Sequence, residues 1–192
     1  MINEKMGQRL MKNKLLDELT KRLKIIEERY GYLSFLIDER YANEKLLQLE
    51  IMHIISLSPN VVEYLPERLY DYQTKDKCDF WFKTCDSTDH WMEIKMRPTS
   101  YRVMRSKAKH AKAITNGVDS VVGDIERLKS RVPQNERKYV LFAFYPMYHE
   151  SYSIFNQRHL PKISKAAGKK ITSPNRSIKV GEASFDIYLI EL

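Results

Sequence analysis

Two short segments joined by a turn constrain this chain more than any other feature. Cys78-Asp79-Phe80-Trp81-Phe82 and Trp91-Met92-Glu93-Ile94-Lys95-Met96 carry the aromatic and apolar residues typical of strands. Between them, Lys83-Thr84-Cys85-Asp86-Ser87-Thr88-Asp89-His90 is rich in turn formers. The pattern predicts an antiparallel hairpin. If the hairpin is symmetric about Asp86, Asp79 lies opposite Glu93. Opposite residues of such a pair share a face, with Cβ atoms about 5 Å apart. Lys95, two residues beyond Glu93, falls on that same face. Phe80, Phe82, Met92, Ile94 and Met96 take the other. A slip of one residue would mix the two sets, so the register is a sharp expectation.

The hairpin therefore gathers two carboxylates and one ammonium on one side of an otherwise hydrophobic element. Adjacent carboxylates repel, and one of them would ordinarily have to protonate. A divalent cation removes that conflict. Hard oxygen ligands suit Mg²⁺, which keeps several waters and takes one or two protein carboxylates. Such an ion polarises a phosphoryl oxygen and lowers the pKa of bound water. A nearby lysine can orient or deprotonate the attacking water and stabilise developing charge. The plain alternative is an ordinary hairpin with exposed acids and a cross-strand salt bridge.

The flanking sequence supplies layers for this hairpin to pack between. Leu16, Leu19, Leu23, Ile26 and Tyr30 recur at steps of three and four, predicting a helix from Asn3 to Tyr30 that Gly31 ends. A second helix is expected from Asn43 to Leu57, with Asn43 as N-cap and Ser58-Pro59-Asn60 as the stop. Val61 to Tyr64 and Arg68 to Tyr72 are short strand candidates. Tyr101 to Ile114 reads as a basic helix. Asn116-Gly117 reads as a turn, and Asp119 as the cap of a helix to Arg131 carrying Val122, Ile125 and Leu128. Tyr139 to Tyr145 is an almost continuous apolar run, as in a buried strand. Ile154 to Ser164 is expected to be helical, Lys169 to Lys179 a loop, and Ser184 to Ile190 a final strand. This order predicts an α/β sandwich around a central mixed sheet. Residues 1–40 form a helical extension, packed on the core or at a dimer interface, and 41–192 form the core domain.

The chain has 192 residues, 43% hydrophobic and 30% charged, which suits one globular domain with a sizeable core. No apolar run approaches the roughly 20 residues needed to span a bilayer, and the N-terminus has no secretory pattern. Two cysteines, Cys78 and Cys85, give no disulfide framework, so a cytoplasmic protein with no membrane partner is expected. The net charge is +8, and its distribution matters more than its size. Lys95, Arg97, Arg102, Arg105, Lys107, Lys109 and Lys112 run through 95–118 with no acid among them. Arg158, Lys162, Lys165, Lys169, Lys170, Arg176 and Lys179 do the same through 151–181. Two one-sign segments in a mixed chain describe an anion-binding surface. Arg97, Arg102, Arg105, Lys107, Lys109, Lys169, Lys170 and Arg176 are the candidates for gripping phosphates.

An Asp on one strand, Glu-x-Lys on the next and a helix before them resemble the PD-(D/E)xK nuclease superfamily, the restriction-endonuclease-like fold. The resemblance spans 43–145. It implies Asp79 and Glu93 as ligands of Mg²⁺, with Mn²⁺ as a substitute, and Lys95 as the water-activating residue. Cys78 stands where the family carries its proline. Many members also place a glutamate on the preceding helix. Glu44, at the helix start, matches that placement better than mid-helix Glu50, and Glu63 is a weaker third. The resemblance implies a restriction-type endonuclease acting on double-stranded DNA, often as a homodimer. Other nucleases of the same fold, for repair, recombination, transposition or RNA, and a nucleic-acid-binding protein that cuts nothing, are the alternatives.

Three further features have ordinary readings beside the functional ones. Trp81 and Trp91 would be cross-strand neighbours, able to stack on a base but more commonly packed beneath a helix. Cys78, Cys85 and His90 match no common zinc spacing and lack a fourth ligand. The dispersed glycines form no phosphate-binding loop.

Overall fold

The hairpin forms with the symmetric register. Strand β2 (Phe80–Thr84) pairs antiparallel with β3 (Asp89–Pro98), setting Phe80 against Met92, Trp81 against Trp91 and Phe82 against His90. The computed structural model describes residues 2–39, 41–71, 75–99 and 114–192. Its other strands are β1 (Val61–Pro66), β4 (Arg137–Met147), β5 (Arg176–Val180) and β6 (Ala183–Glu191). All six form one mixed open sheet in the order β1-β2-β3-β4-β6-β5. The β3–β4 pair is parallel and the others are antiparallel. Helices cover both faces, which makes the protein an α/β fold.

One face carries α1 (Ile2–Tyr30), α2 (Tyr32–Glu39) and α3 (Glu44–Ser56). Leu16, Leu19 and Leu23 of α1 and Leu47, Ile51 and Ile55 of α3 meet Phe80, Phe82, Met92, Ile94 and Met96 in one buried cluster. Each such side chain contributes about 1.5–3 kcal/mol by leaving water. The first helices thus help build the core on which the hairpin rests. Gly31, at φ 60°, lets the chain turn between α1 and α2. Glu27 then accepts hydrogen bonds from the backbone N–H groups of Leu33 (2.7 Å) and Ser34 (3.0 Å), which caps α2. The sequence pattern did not mark α2, a short helix stabilised by a carboxylate from its neighbour.

The opposite face carries α4 (Ile114–Arg131), α5 (His149–Ile154), a π-helical turn (Phe155–His159) and α6 (Leu160–Ala167). β4 lies between the layers and sends Tyr139, Leu141, Ala143 and Tyr145 to one cluster and Val140, Phe142 and Phe144 to the other. This two-sided burial explains its unbroken apolar run.

Several expectations need correction. Asn116 and Gly117 lie inside α4, not in a turn, and Asp119 follows them within the same helix. Gly117 is there for packing: a Cβ at this position would sit 3.2 Å from Arg97 Cβ and from Phe144 Cε1. Close approach of helix to strand therefore overrides the turn signal. Of the strand expected from Arg68 to Tyr72, the described residues 68–71 form no strand, and Leu69 makes one isolated bridge to Lys77; Tyr72 lies outside the described residues. The expected loop at 169–179 ends in β5, which pairs with β6 to finish the sheet. The basic segment 101–113 lies outside the described residues. Among the described residues, no helix is long and apolar enough to cross a membrane.

Candidate functional site

β2 begins at Phe80, whereas β3 continues past Glu93 to Pro98. The ladder therefore opens beyond Asp79, which lies one step past the Phe80–Met92 pair and faces Glu93. The Asp79 carboxylate takes the place of a further strand partner: its Oδ2 accepts the Ile94 N–H at 2.7 Å. Its backbone is held too, since Asp79 O accepts from Gln48 Nε2 at 2.6 Å and from Glu67 N at 3.2 Å. Gln48 lies one turn into α3, and the start of that helix reaches the opened strand.

Lys95 Nζ sits at the centre of the cleft. Asp124 Oδ2 is 3.4 Å away, Glu44 Oε2 3.5 Å and Asp79 Oδ2 3.6 Å. Glu44 also pairs with Arg97 at 2.9 Å. Glu50 instead faces α1, 3.5 Å from Arg22, and Glu63 is exposed on β1 opposite Lys83. Of the three glutamates considered, Glu44 is the one brought to the Asp79, Glu93 and Lys95 group.

Glu93 is almost fully buried, and its Oε1 accepts from Tyr70 Oη and from Arg127 Nη1, the latter at 3.0 Å. Arg127 Nη2 is 3.1 Å from Asp124 Oδ1, one helical turn earlier. Thus α4 braces both members of Glu-x-Lys, with Asp124 on Lys95 and Arg127 on Glu93. Burial pushes Glu93 up to about 8, and the nearby carboxylates of Asp79 and Asp124 push the same way. Burial also raises Asp124, opposed by Lys95 and Arg127. For Lys95, burial favours the neutral amine, but Asp124, Asp79, Glu44 and Glu93 together outweigh it and hold the ammonium above its ordinary value.

The donor set fits a divalent cation. Asp79 faces Glu93 across the opened ladder and pushes it up, the conflict a cation relieves. Four carboxylates, Glu44, Asp79, Glu93 and Asp124, meet three cationic groups, Lys95, Arg97 and Arg127. Asp124 Oδ2, though near Lys95, is buried and makes no hydrogen bond among the described residues. These are hard oxygen donors, as Mg²⁺ requires. Among the described residues no three His, Cys, Asp or Glu side chains form a ready-made metal cage. The fit therefore rests on the Asp79–Glu93 pair.

Trp81 and Trp91 lie on the acid-bearing face, and both are buried with their rings already covered. The Arg68 guanidinium covers Trp81 at 3.7 Å from the ring centroid, and Tyr70 stacks on Trp91 at 5.5 Å. The pair packs beneath the β1–β2 connection and serves as the floor that aims Tyr70 at Glu93. Cys78 is buried and Cys85 exposed, both as free thiols. Among the candidate phosphate-gripping residues, Arg97 borders the site, where it also bonds Ser120 Oγ at 3.2 Å. Arg176 is on β5, separated from β3 by β4 and β6, and pairs with Asp17 at 2.8 Å. Lys169 and Lys170 are exposed just past the end of α6. Arg102, Arg105, Lys107 and Lys109 lie outside the described residues.

Sequence reasoning missed Asp124, Arg127, Tyr70 and Gln48. For Asp124 a signal existed: Gly117, Val121, Asp124 and Leu128 recur at helical spacing on one buried stripe. Reading Asn116-Gly117 as a turn concealed it. Comparisons with family models, with curated proteins and with solved structures find no match.

Proposed function

We propose that the protein is a Mg²⁺-dependent endonuclease of restriction-endonuclease-like fold that hydrolyses phosphodiester bonds in double-stranded DNA. One observation carries this reading. Asp79, Glu93 and Lys95, expected from the hairpin spacing, and Glu44, expected from the resemblance, meet on one opened strand edge, with Asp79 and Glu93 side by side and Lys95 against three carboxylates.

Asp79 and Glu93 would hold the cation. When bound, it supplies a polarised phosphoryl oxygen and a more acidic water. Asp79 is oriented by the Ile94 N–H, and its main chain is pinned by Gln48. Lys95, fixed by Asp124 and Glu44, is placed to orient the attacking water and stabilise charge on the phosphoryl oxygens. The basic segment beginning at Arg97 would carry the DNA backbone toward this edge.

The test is incubation of purified protein with plasmid DNA in Mg²⁺ and then in EDTA. Cutting is expected in Mg²⁺, absent in EDTA and absent in Asp79→Ala. Tight binding without cutting on any DNA or RNA substrate would refute the enzyme and favour a binding protein. Cutting confined to RNA would keep the chemistry and change the substrate.

A further inference from the structure

Arg127 is much more open to solvent than the groups it touches, and slightly more so than Arg97, Glu44 and Asp79, at 30–32%. Its side chain is 39% exposed, against 1% for Glu93 and for Asp124 and 13% for Lys95. It reaches two carboxylates at once, Glu93 through Nη1 at 3.0 Å and Asp124 through Nη2 at 3.1 Å. These contacts are not equivalent. Glu93 Oε1 already accepts the Tyr70 hydroxyl, so it keeps a donor without Arg127. Asp124 stands on the same helix three residues earlier and holds the guanidinium at the mouth of the cleft independently of Glu93.

A cation on Glu93 and a guanidinium on the same carboxylate would repel in a poorly solvated site. The guanidinium is the one of the two that can move. Its planar fork matches a phosphate, and its exposed side chain is accessible to a polyanion arriving from solvent. We infer that Arg127 is a phosphate-binding residue that changes partner: it pairs with Glu93 in the cation-free protein and with a phosphate oxygen of duplex DNA once Asp79 and Glu93 hold a divalent cation. Asp124 is the pivot for that exchange. The inference rests on the nuclease reading above. Arg97 provides the internal contrast, because its partner Glu44 lies outside the proposed cation pair and is not taken from it.

The test measures DNA affinity by fluorescence anisotropy of a short labelled duplex, in EDTA and in Ca²⁺, for the wild type, Arg127→Ala and Arg127→Lys. Ca²⁺ serves as an oxygen-seeking probe in place of Mg²⁺. Arg127→Ala is expected to weaken binding roughly tenfold in Ca²⁺, the scale of one charge-assisted contact, and by about twofold or less in EDTA. Arg127→Lys, with charge but no fork, should fall between. It also carries the test if the alanine variant does not fold by circular dichroism. Equal losses in both conditions, or no loss in Ca²⁺, would overturn the proposal. Calorimetric titration of Ca²⁺ into the wild type and Asp79→Ala separates the failures. Ca²⁺ binding that depends on Asp79, without a cation-dependent role for Arg127, sinks this inference alone. No Asp79-dependent binding sinks the nuclease reading with it.

Discussion

On the α1–α3 side of the β2–β3 hairpin, Phe80, Phe82, Met92, Ile94 and Met96 are almost fully buried among leucines and isoleucines from three helices. On the α4 side, one residue along the same strands, Asp79, Glu93 and Lys95 meet Glu44, Asp124 and Arg127. The five side chains on the first face carry no polar group to satisfy. The second holds carboxylates at short range, one of them pushed up to about 8 by burial and its neighbours. Pre-organised functional sites often hold such conflict, and the surrounding fold bears its cost. The two faces should therefore answer mutation in opposite ways.

The largest effect is expected at Asp79. Asp79→Asn keeps an oxygen for the Ile94 N–H and removes one of the two opposed charges. Plasmid cleavage should fall roughly 10³-fold or more, the scale seen when a transition-state electrostatic group is lost. The melting temperature in EDTA should hold or rise. A large drop in melting temperature would mean that Asp79 is a structural acid and that the two faces do not differ in kind. Phe82→Ala is the reciprocal experiment. It should cost about 3–5 kcal/mol of stability by leaving a cavity, read from denaturant unfolding. Under conditions where the variant stays folded, cleavage per folded molecule should change little.

How far the hairpin could be read from the sequence follows from its geometry. Period-two alternation and a turn centred near Asp86 fix which residues are opposite, so Asp79, Glu93 and Lys95 are local information. Glu44 required a choice among three acids, because its distance to Lys95 is set by how α3 packs and not by chain spacing. Asp124 and Arg127 depend on the crossover through α4, which packs with Gly117 close against Arg97 and Phe144. That contact is long-range, and it overrode a local turn signal. The same limit applies to α2, whose cap is a side chain from α1.

Acid and base should separate the faces next. Glu93 is raised from near 4.5 to about 8, so the folded state favours its protonated form. Its contribution is complete below about pH 4.5 and is lost as pH rises through 8. His90 stands on the apolar face, its ring between Phe82 and Tyr139 and its Nε2 3.1 Å from Thr84 Oγ1. Burial lowers it from 6.5 to about 4, so its contribution is complete above pH 6.5 and is lost as pH falls through 4. Each effect amounts to a few kcal/mol at most, on the order set by its shift. Melting temperature against pH in EDTA should thus have two limbs. Glu93→Gln should flatten the alkaline limb and His90→Gln the acid limb. Mg²⁺ should abolish the alkaline limb in the wild type. If Glu93→Gln leaves that limb unchanged, the charged face stores no such conflict.

The smallest effect tests how α4 is held against the site. At Gly117, an alanine Cβ would stand 3.2 Å from Arg97 Cβ and from Phe144 Cε1, tighter than ordinary contact. Alanine also favours the helix by about 1 kcal/mol over glycine. The two terms oppose, so Gly117→Ala should change stability by less than about 1 kcal/mol. Accommodating the methyl would move α4 from β3 by a few tenths of an ångström. Asp124 and Arg127 ride on that helix, 3.4 Å from Lys95 and 3.0 Å from Glu93. Cleavage should then fall severalfold while the melting temperature stays nearly level. An unchanged rate would show that the charged face tolerates slack at its helical wall, and that β3 alone fixes the geometry the reaction needs.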